Sequence, residues 1–367
     1  MSGNTPCLLF ALAFIFGLHF PSVRTRVKRF LYATYTFALF TFVFLIGSVE
    51  LFELIEFYVS GHSDIVNVKN RMFFAIPATF QIFSTAFVLL TFFWSLRNSE
   101  EYFKLYTILL KQDFDAKAKG VATALINKVL FFCIVAIFFS NFYGMDVEKI
   151  QTFVIFVLFL DYPFVLLTGL ILRCKFLFLL LIVKQLVINI NKRLAKSSAF
   201  RLAAIAKLRK THSNLWILAC RAFRLFRPVL FLHFHAECCH SILCIYQLII
   251  VIADLDEFKQ NEELLVIGIA LPRIVFNSVS MQFLFSTCET TVAQLKMTKE
   301  FLSRIETSDL DLKEEIEIFR RQVLHSGIED FSFYGLLTVN RTLFLAVVGM
   351  VLAYSTMVVQ FHLIAGA

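Results

Sequence analysis

Charged and amide side chains set inside long apolar runs are the residues of this sequence best placed to do chemistry. Asp161 and Arg273 stand at matching depths in two such runs, Gln81 stands at the same depth in a third, and Asn277 follows Arg273 by one helical turn. A charge at the centre of a bilayer costs about 2.5 kcal/mol or more, so each implies a partner or a polar ligand. With Tyr162 beside Asp161, these groups could frame a polar ligand pocket across which Asp161 and Arg273 pair. An ion pair that merely seals a helix bundle fits them equally well. Aromatic residues crowd the same runs, Phe74, Phe80 and Phe276 among them, and could stack on a planar ligand, but none stands out from the rest.

His233, Glu237 and His240 recur at i, i+4 and i+7, a spacing able to hold a metal. They fall near one edge of their run, where an interfacial hydrogen-bond cluster accounts for them, so neither a metal nor another cofactor is expected. The sequence carries no phosphate loop, zincin motif or Ser-His-Asp context, so an enzyme is not expected either. In the last run, Ala346, Gly349, Ala353, Thr356 and Gln360 recur at steps of three and four and share one helical face. A stripe of small and weakly polar residues suits a pore lining. It also suits close packing of helices, which spacing alone favours.

The elements that position these residues are helices in lipid. The 367 residues are 59% hydrophobic and only 17% charged, with 46 phenylalanines, against a usual charged share of about a quarter. Mean hydropathy is +0.75. The apolar runs are continuous rather than alternating, and Gly and Pro are sparse, which predicts an all-α polytopic membrane protein rather than a barrel. Seven runs reach a span's length: Leu31–Leu51, Met72–Trp94, Val129–Tyr143, Thr152–Val183, Pro228–Ala253, Leu264–Phe285 and Leu343–Phe361. The fourth is longer than a bilayer and is expected to continue into the cytosol. The stretch from Cys7 to Phe20 precedes its basic cluster, the wrong order for a cleavable signal, and reads as an interfacial helix. The eight cysteines show no metal or disulfide spacing and read as packing residues.

Lys and Arg gather before the first span, after the second and between Lys184 and Arg227, whereas the alternate connections are acidic. By the positive-inside rule the amino terminus is cytosolic and the carboxy terminus extracellular. The net charge of +8 then marks membrane-adjacent loops, and no nucleic-acid partner is expected. The orientation is the reverse of a G-protein-coupled receptor. The expected organisation is an interfacial segment at 1–30, six spans at 31–290, cytosolic helical extensions at 184–227, a cytosolic anchor at 291–340 and a last span at 341–367. Leu310, Leu312, Ile316 and Phe319 place an amphipathic helix in that anchor.

The approach to the last span reads Phe-Tyr-Gly-Leu-Leu-Thr-Val-Asn-Arg-Thr-Leu-Phe from Phe333, and the span closes with Ala353, Tyr354 and, further on, Gln360-Phe361. This resembles the insect gustatory receptor signature at Gly335, Arg341, Thr342, Leu343, Tyr354, Gln360 and Phe361. It departs at Leu336, Leu337, Asn340 and Ala353, where the family carries two aromatics, an acidic residue and threonine. Helix count and inverted topology agree with the resemblance along the whole chain. It implies a tetrameric, tastant-gated, non-selective cation channel of the plasma membrane, homomeric or built with other gustatory receptor subunits, with an outward-facing ligand pocket enclosed by helices 2 to 6. The last helix would line the pore, with Gly349, Ala353 and Thr356 along it and Gln360 and Phe361 at the outer constriction. The tastant would be a sugar or bitter compound. Related odorant receptors that need a co-receptor are the nearest alternative. A transporter with a midplane site at Asp161 and Arg273 is a further one, although no internal repeat supports it.

Overall fold

The computed structural model describes residues 34–35, 41, 68–111, 120, 123–124, 126–128, 153–196, 201–253, 260–325 and 331–365, without the side chains of 68–85, 96, 110–111, 153–166, 247, 250–251, 253, 260–269, 362–365 and Arg273. Four long helices dominate: α1 (Val68–Lys111), α2 (Phe153–Lys196), α3 (Leu202–Ala253) and α4 (Gln260–Ser303). Each has 44 or 52 residues. At about 1.5 Å per residue they extend over more than twice a bilayer's hydrocarbon thickness. One helix therefore serves as both span and extramembrane extension. α2 carries the predicted span at 152–183 onward to Lys196 without a break, and α4 runs through residue 290 to Ser303. α1 covers the predicted run at 72–94 and α3 that at 228–253. The runs at 31–51 and 129–143 lie outside the described residues apart from isolated positions, as does the amino-terminal segment.

α2 is the central helix. Every residue from Thr168 to Val183 is buried, which is the environment an element apolar on all sides requires. α1, α3 and α4 pack around it. Phe176 of α2 meets Phe223 and Phe226 of α3 with ring centroids 6.0 and 5.7 Å apart, and Tyr102 of α1 closes on Phe226 at 5.8 Å. Among the described residues, Cys174, Cys220, Cys238, Cys244 and Cys288 are buried, and none of them forms a disulfide.

A short helix, α5 (Leu310–His325), docks on the ends of α3 and α4. Asp309 caps it, its Oδ1 accepting the N–H groups of Asp311 and Leu312 at 3.0 and 3.2 Å. The buried stripe is Leu312, Ile316, Phe319 and Val323. Leu310, predicted on that stripe, is instead 79% exposed, because the 4-3-4 spacing back from Val323 ends at Leu312. Arg209 Nε donates to Glu315 Oε1 at 2.6 Å, and Gln322 Nε2 to the Arg209 carbonyl at 3.4 Å. A hairpin of β1 (Ser332–Phe333) and β2 (Leu337–Thr338), paired antiparallel, then leads into α6 (Arg341–Ala365). Among the described residues, Arg341–Phe361 is the stretch whose length and apolarity suffice to cross a membrane.

Candidate functional site

The terminal signature is a device for aiming α6. The hairpin turns at Tyr334 and Gly335, whose φ values of 57° and 77° are both left-handed, as primed hairpin turns require. Leu336 N–H closes the turn on the Phe333 carbonyl at 3.0 Å, and Gly335 N–H donates to Ser332 Oγ at 3.1 Å. A Cβ on Gly335 would meet nothing within 4 Å, so backbone conformation rather than space selects glycine there. Phe331 and Phe333 are fully buried and anchor the hairpin on Phe223, at 5.1 and 6.0 Å. The Arg227 guanidinium lies over the Tyr334 ring, 4.3 Å from its centroid.

Asn340 is the N-cap of α6: its Oδ1 accepts Leu343 N–H at 2.9 Å. Asn and Asp cap helices about equally well, so this departure from the signature keeps its structural role. Arg341 clips the same end to α4. Its N–H donates to Glu289 Oε2 at 2.9 Å and its Nη2 to Ser286 Oγ at 3.0 Å. Thr342 and Tyr354 are exposed, as is Leu336, while Leu337 is half-buried in the hairpin.

α6 itself is barely held within the protomer. Among its described side chains Val347, Val351 and Ser355 are buried, one turn apart, and the Ser355 hydroxyl is satisfied by the Val351 carbonyl at 2.8 Å. Ala346, Gly349, Ala353, Thr356 and Gln360 are all exposed and lie on the opposite side of the helix. Phe361 is 59% exposed and sits one residue, about 100°, round from Gln360.

A second constellation lies within the bundle and was only half visible in the sequence. His233 and Glu237 do share a face of α3, and both are buried, but their partners come from other helices. Arg173 of α2 places Nη1 2.9 Å from Glu237 Oε2 and 2.6 Å from Ser280 Oγ of α4, and its Nη2 2.5 Å from Glu237 Oε1. His233 Nδ1 is 3.5 Å from Glu237 Oε1. The imidazole lies on the backbone of Gly169, where a Cβ would overlap the ring, and against Phe87 of α1, 5.0 Å between centroids. This polar lock joins α2, α3 and α4. Among the described residues no group of His, Cys, Asp or Glu converges on a metal site. Arg173 escaped the sequence reading because its run exceeds a bilayer's length, so its distal part read as cytosolic. The rule that singled out Asp161 and Arg273 applies to it equally.

Asn277 of α4 is also buried, and neither its Oδ1 nor its Nδ2 has a protein partner. It lines a cavity of about 140 Å³ between α3, α4 and α6, beside Cys238, Met281, Phe344, Val347 and Val351. Gln81 falls on α1, Asp161 and Tyr162 on α2, and Arg273 on α4 one turn before Asn277. The side chains of these four lie outside the described residues.

Beyond the spans, side-chain bonds stitch α2 and α3 to α4. Lys184 Nζ donates to Thr290 Oγ1 at 2.8 Å, Asn191 Nδ2 to the Gln294 carbonyl at 2.9 Å, and Thr298 Oγ1 to Asn191 Oδ1 at 2.7 Å. His212 Nε2 donates to the Leu295 carbonyl at 3.2 Å while its ring packs edge-on against Phe319. Burial pushes the His212 pKa down to about 4, the carbonyl bond opposing part of that shift.

Long helices that run beyond the predicted spans, a polar lock within the bundle and an apolar last helix define an all-helical membrane protein. The sequence matches the 7tm chemosensory receptor family over residues 7–364, and the chain belongs to that family. No individually curated protein matches it. Among solved structures it is similar to the insect olfactory receptor OR5 from Machilis hrabei, with a TM-score of 0.72 at 11% identity over 96% of this chain and 97% of that one. The same receptor in complex with eugenol aligns with a TM-score of 0.72 at 10% identity, covering 97% of each chain. At such identity the likeness is one of fold.

Proposed function

We propose that this chain is a gustatory receptor: one subunit of a tastant-gated, non-selective cation channel in the plasma membrane of chemosensory neurons. Its amino terminus is cytosolic and its carboxy terminus extracellular. The observation that carries this reading is the last helix. Arg341–Phe361 has a mean hydropathy of 2.2, yet only 22% of its apolar stretch is buried within the protomer. Its small-residue face points away from the bundle that holds it. Four copies, alike or mixed with related subunits, would bring those faces together around an axis. Ala346, Gly349 and Ala353 would let the helices approach, Thr356 and Gln360 would offer oxygens to passing cations, and Phe361 would narrow the mouth.

The ligand enters from outside, into a pocket framed by Gln81, Asp161, Tyr162, Arg273 and Asn277, with Asp161 and Arg273 paired across it. The unpartnered amide of Asn277 and the cavity beside it support that placement, because a ligand there would touch α6 directly. The gustatory assignment rests on the signature residues Gly335, Arg341, Thr342, Tyr354, Gln360 and Phe361. The likeness to an olfactory receptor whose structure holds eugenol favours an odorant-type subunit as the second reading. Volatile agonists would select the second reading, and sugars or bitter compounds the first. The test of the channel itself is Phe361→Ala expressed alone and recorded by patch clamp. An apolar ring that dewets when closed is opened by truncation, so resting current rises; a resting current equal to that of the unmodified protein overturns the assignment.

A further inference from the structure

A groove of about 650 Å³ runs between α1 and α3. The two helices are antiparallel here, since Phe87 meets His233 whereas Trp94 meets Phe226. Both walls change character in the same direction. On α1, Leu90 and Phe93 give way to Arg97; on α3, Leu232 and Val229 give way to Arg224 and Arg221. The apolar end is not covered by protein: Leu90, Phe93 and Leu232 are 52, 62 and 40% exposed. At the other end the lining holds three guanidinium groups against one carboxylate, Glu101. The change falls where the predicted spans end, at Trp94 and Pro228, the depth at which hydrocarbon meets headgroups and at which tryptophan concentrates.

We infer that this groove is a binding site for an anionic glycerophospholipid, its phosphate held by Arg97, Arg221 and Arg224 and an acyl chain laid along Leu90, Phe93 and Leu232. Guanidinium recognises phosphate through paired donors, and a basic pocket between spans is a natural headgroup site. Apolar side chains this exposed, directly above the basic cluster, require the hydrocarbon of the same molecule, which a free phosphate lacks. A zwitterionic lipid would bring its own cation to a wall that is already in cationic excess. Under the proposed orientation the lipid belongs to the inner leaflet. The site stands independently of whether the chain is a channel.

Trp94 forms part of the groove wall and is one of two tryptophans, the other being Trp216, which packs on Phe331. It is therefore a built-in reporter. In a Trp216→Phe background, the protein is placed in phosphatidylcholine nanodiscs containing a minor share of phosphatidylserine, with bromine on the acyl chains of one lipid or the other. Chain-brominated phosphatidylserine is expected to quench Trp94 well beyond its share of the bilayer. Arg97→Gln with Arg221→Gln is expected to weaken that preference about thirtyfold, as about 1 kcal/mol per arginine implies. Native mass spectrometry of the unmodified protein is expected to retain phosphatidylserine adducts over phosphatidylcholine, and millimolar inorganic phosphate to leave them in place. Quenching in proportion to lipid share, a preference unchanged in the double variant, or adducts displaced by inorganic phosphate would each overturn the assignment.

Discussion

Replacing Glu237 with Leu provides the strictest test of the polar lock. The Arg173 and Glu237 side chains are only 3 and 5% exposed, and the guanidinium also bonds the Ser280 hydroxyl. Removing the carboxylate strands a cation among apolar helices. Breaking a buried pair in this way costs about 3–5 kcal/mol, and a lone arginine at mid-bilayer costs about 2.5–3.5 kcal/mol on insertion scales. The two routes agree on a loss of about 3 kcal/mol. Arg173→Met should cost about as much, since it strands the carboxylate instead. The double variant removes both charges and replaces them with residues of suitable volume, so it should lie within about 1 kcal/mol of the parent. The coupling energy between the two sites is then several kcal/mol, far above the roughly 0.5 kcal/mol within which independent sites add. Equilibrium unfolding in mixed micelles across the full cycle measures it. If the double variant lost as much as the two singles together, the pair would not be a closed unit and the reasoning would fail.

His212 gives a pH dependence. Its folded pKa of about 4 lies below the ordinary value of 6.5, so the unfolded chain takes up a proton that the folded chain refuses. Its contribution is complete above pH 6.5, falls as pH drops towards 4 and is flat below that, with a span of at most about 3 kcal/mol. Thermal unfolding at pH 7 and pH 4.5 checks this: His212→Gln should show a shallower loss than the parent, and equal slopes would refute it. Gly169→Ala tests the seat of the His233 ring. Helix propensity favours alanine by about 1 kcal/mol, but the overlap with the imidazole should reverse the sign, to a net loss of about 1–3 kcal/mol that His233→Ser partly restores.

The parts of this protein that follow from local pattern were legible in the sequence. Apolar runs of span length gave the described long helices, and the 4-3 spacing of Leu312, Ile316 and Phe319 gave the buried stripe of α5, though with Leu310 where Val323 belongs. The stripe of small residues on the last run is exposed, as a face awaiting other helices would be. What local pattern could not supply was partnership between distant positions. Nothing near Arg173 in the chain announces Glu237, 64 residues on, or Ser280, 107 residues on. The Gly-to-Arg segment of the signature was visible as a motif, but its physical content was not. Only the fold shows that Gly335 turns a hairpin, that Asn340 caps α6 and that Arg341 reaches back to α4.

α4 is the element through which a ligand could act on the last helix. It packs against α2, α3, α5 and α6. Its middle carries Asn277, on the cavity that α6 completes, and Ser280, in the lock with Arg173. A turn or two further, Ser286 and Glu289 hold Arg341 at the start of α6. A shift of α4 would therefore reach α6 at two separated points on one side, which tilts or rotates a helix rather than merely translating it. The lock limits how far α2 and α3 can let α4 move, and the bonds from Lys184, Asn191 and His212 hold its far end still. A lever fixed at one end, loaded in the middle and clipped to α6 has the geometry for coupling. Physical coupling also demands two discrete arrangements that the ligand distinguishes by differential contact. Under the proposed function, the amide of Asn277, which has no protein partner, would make that distinction, because a ligand that satisfied it would gain a hydrogen bond in only those arrangements where α4 faces the cavity.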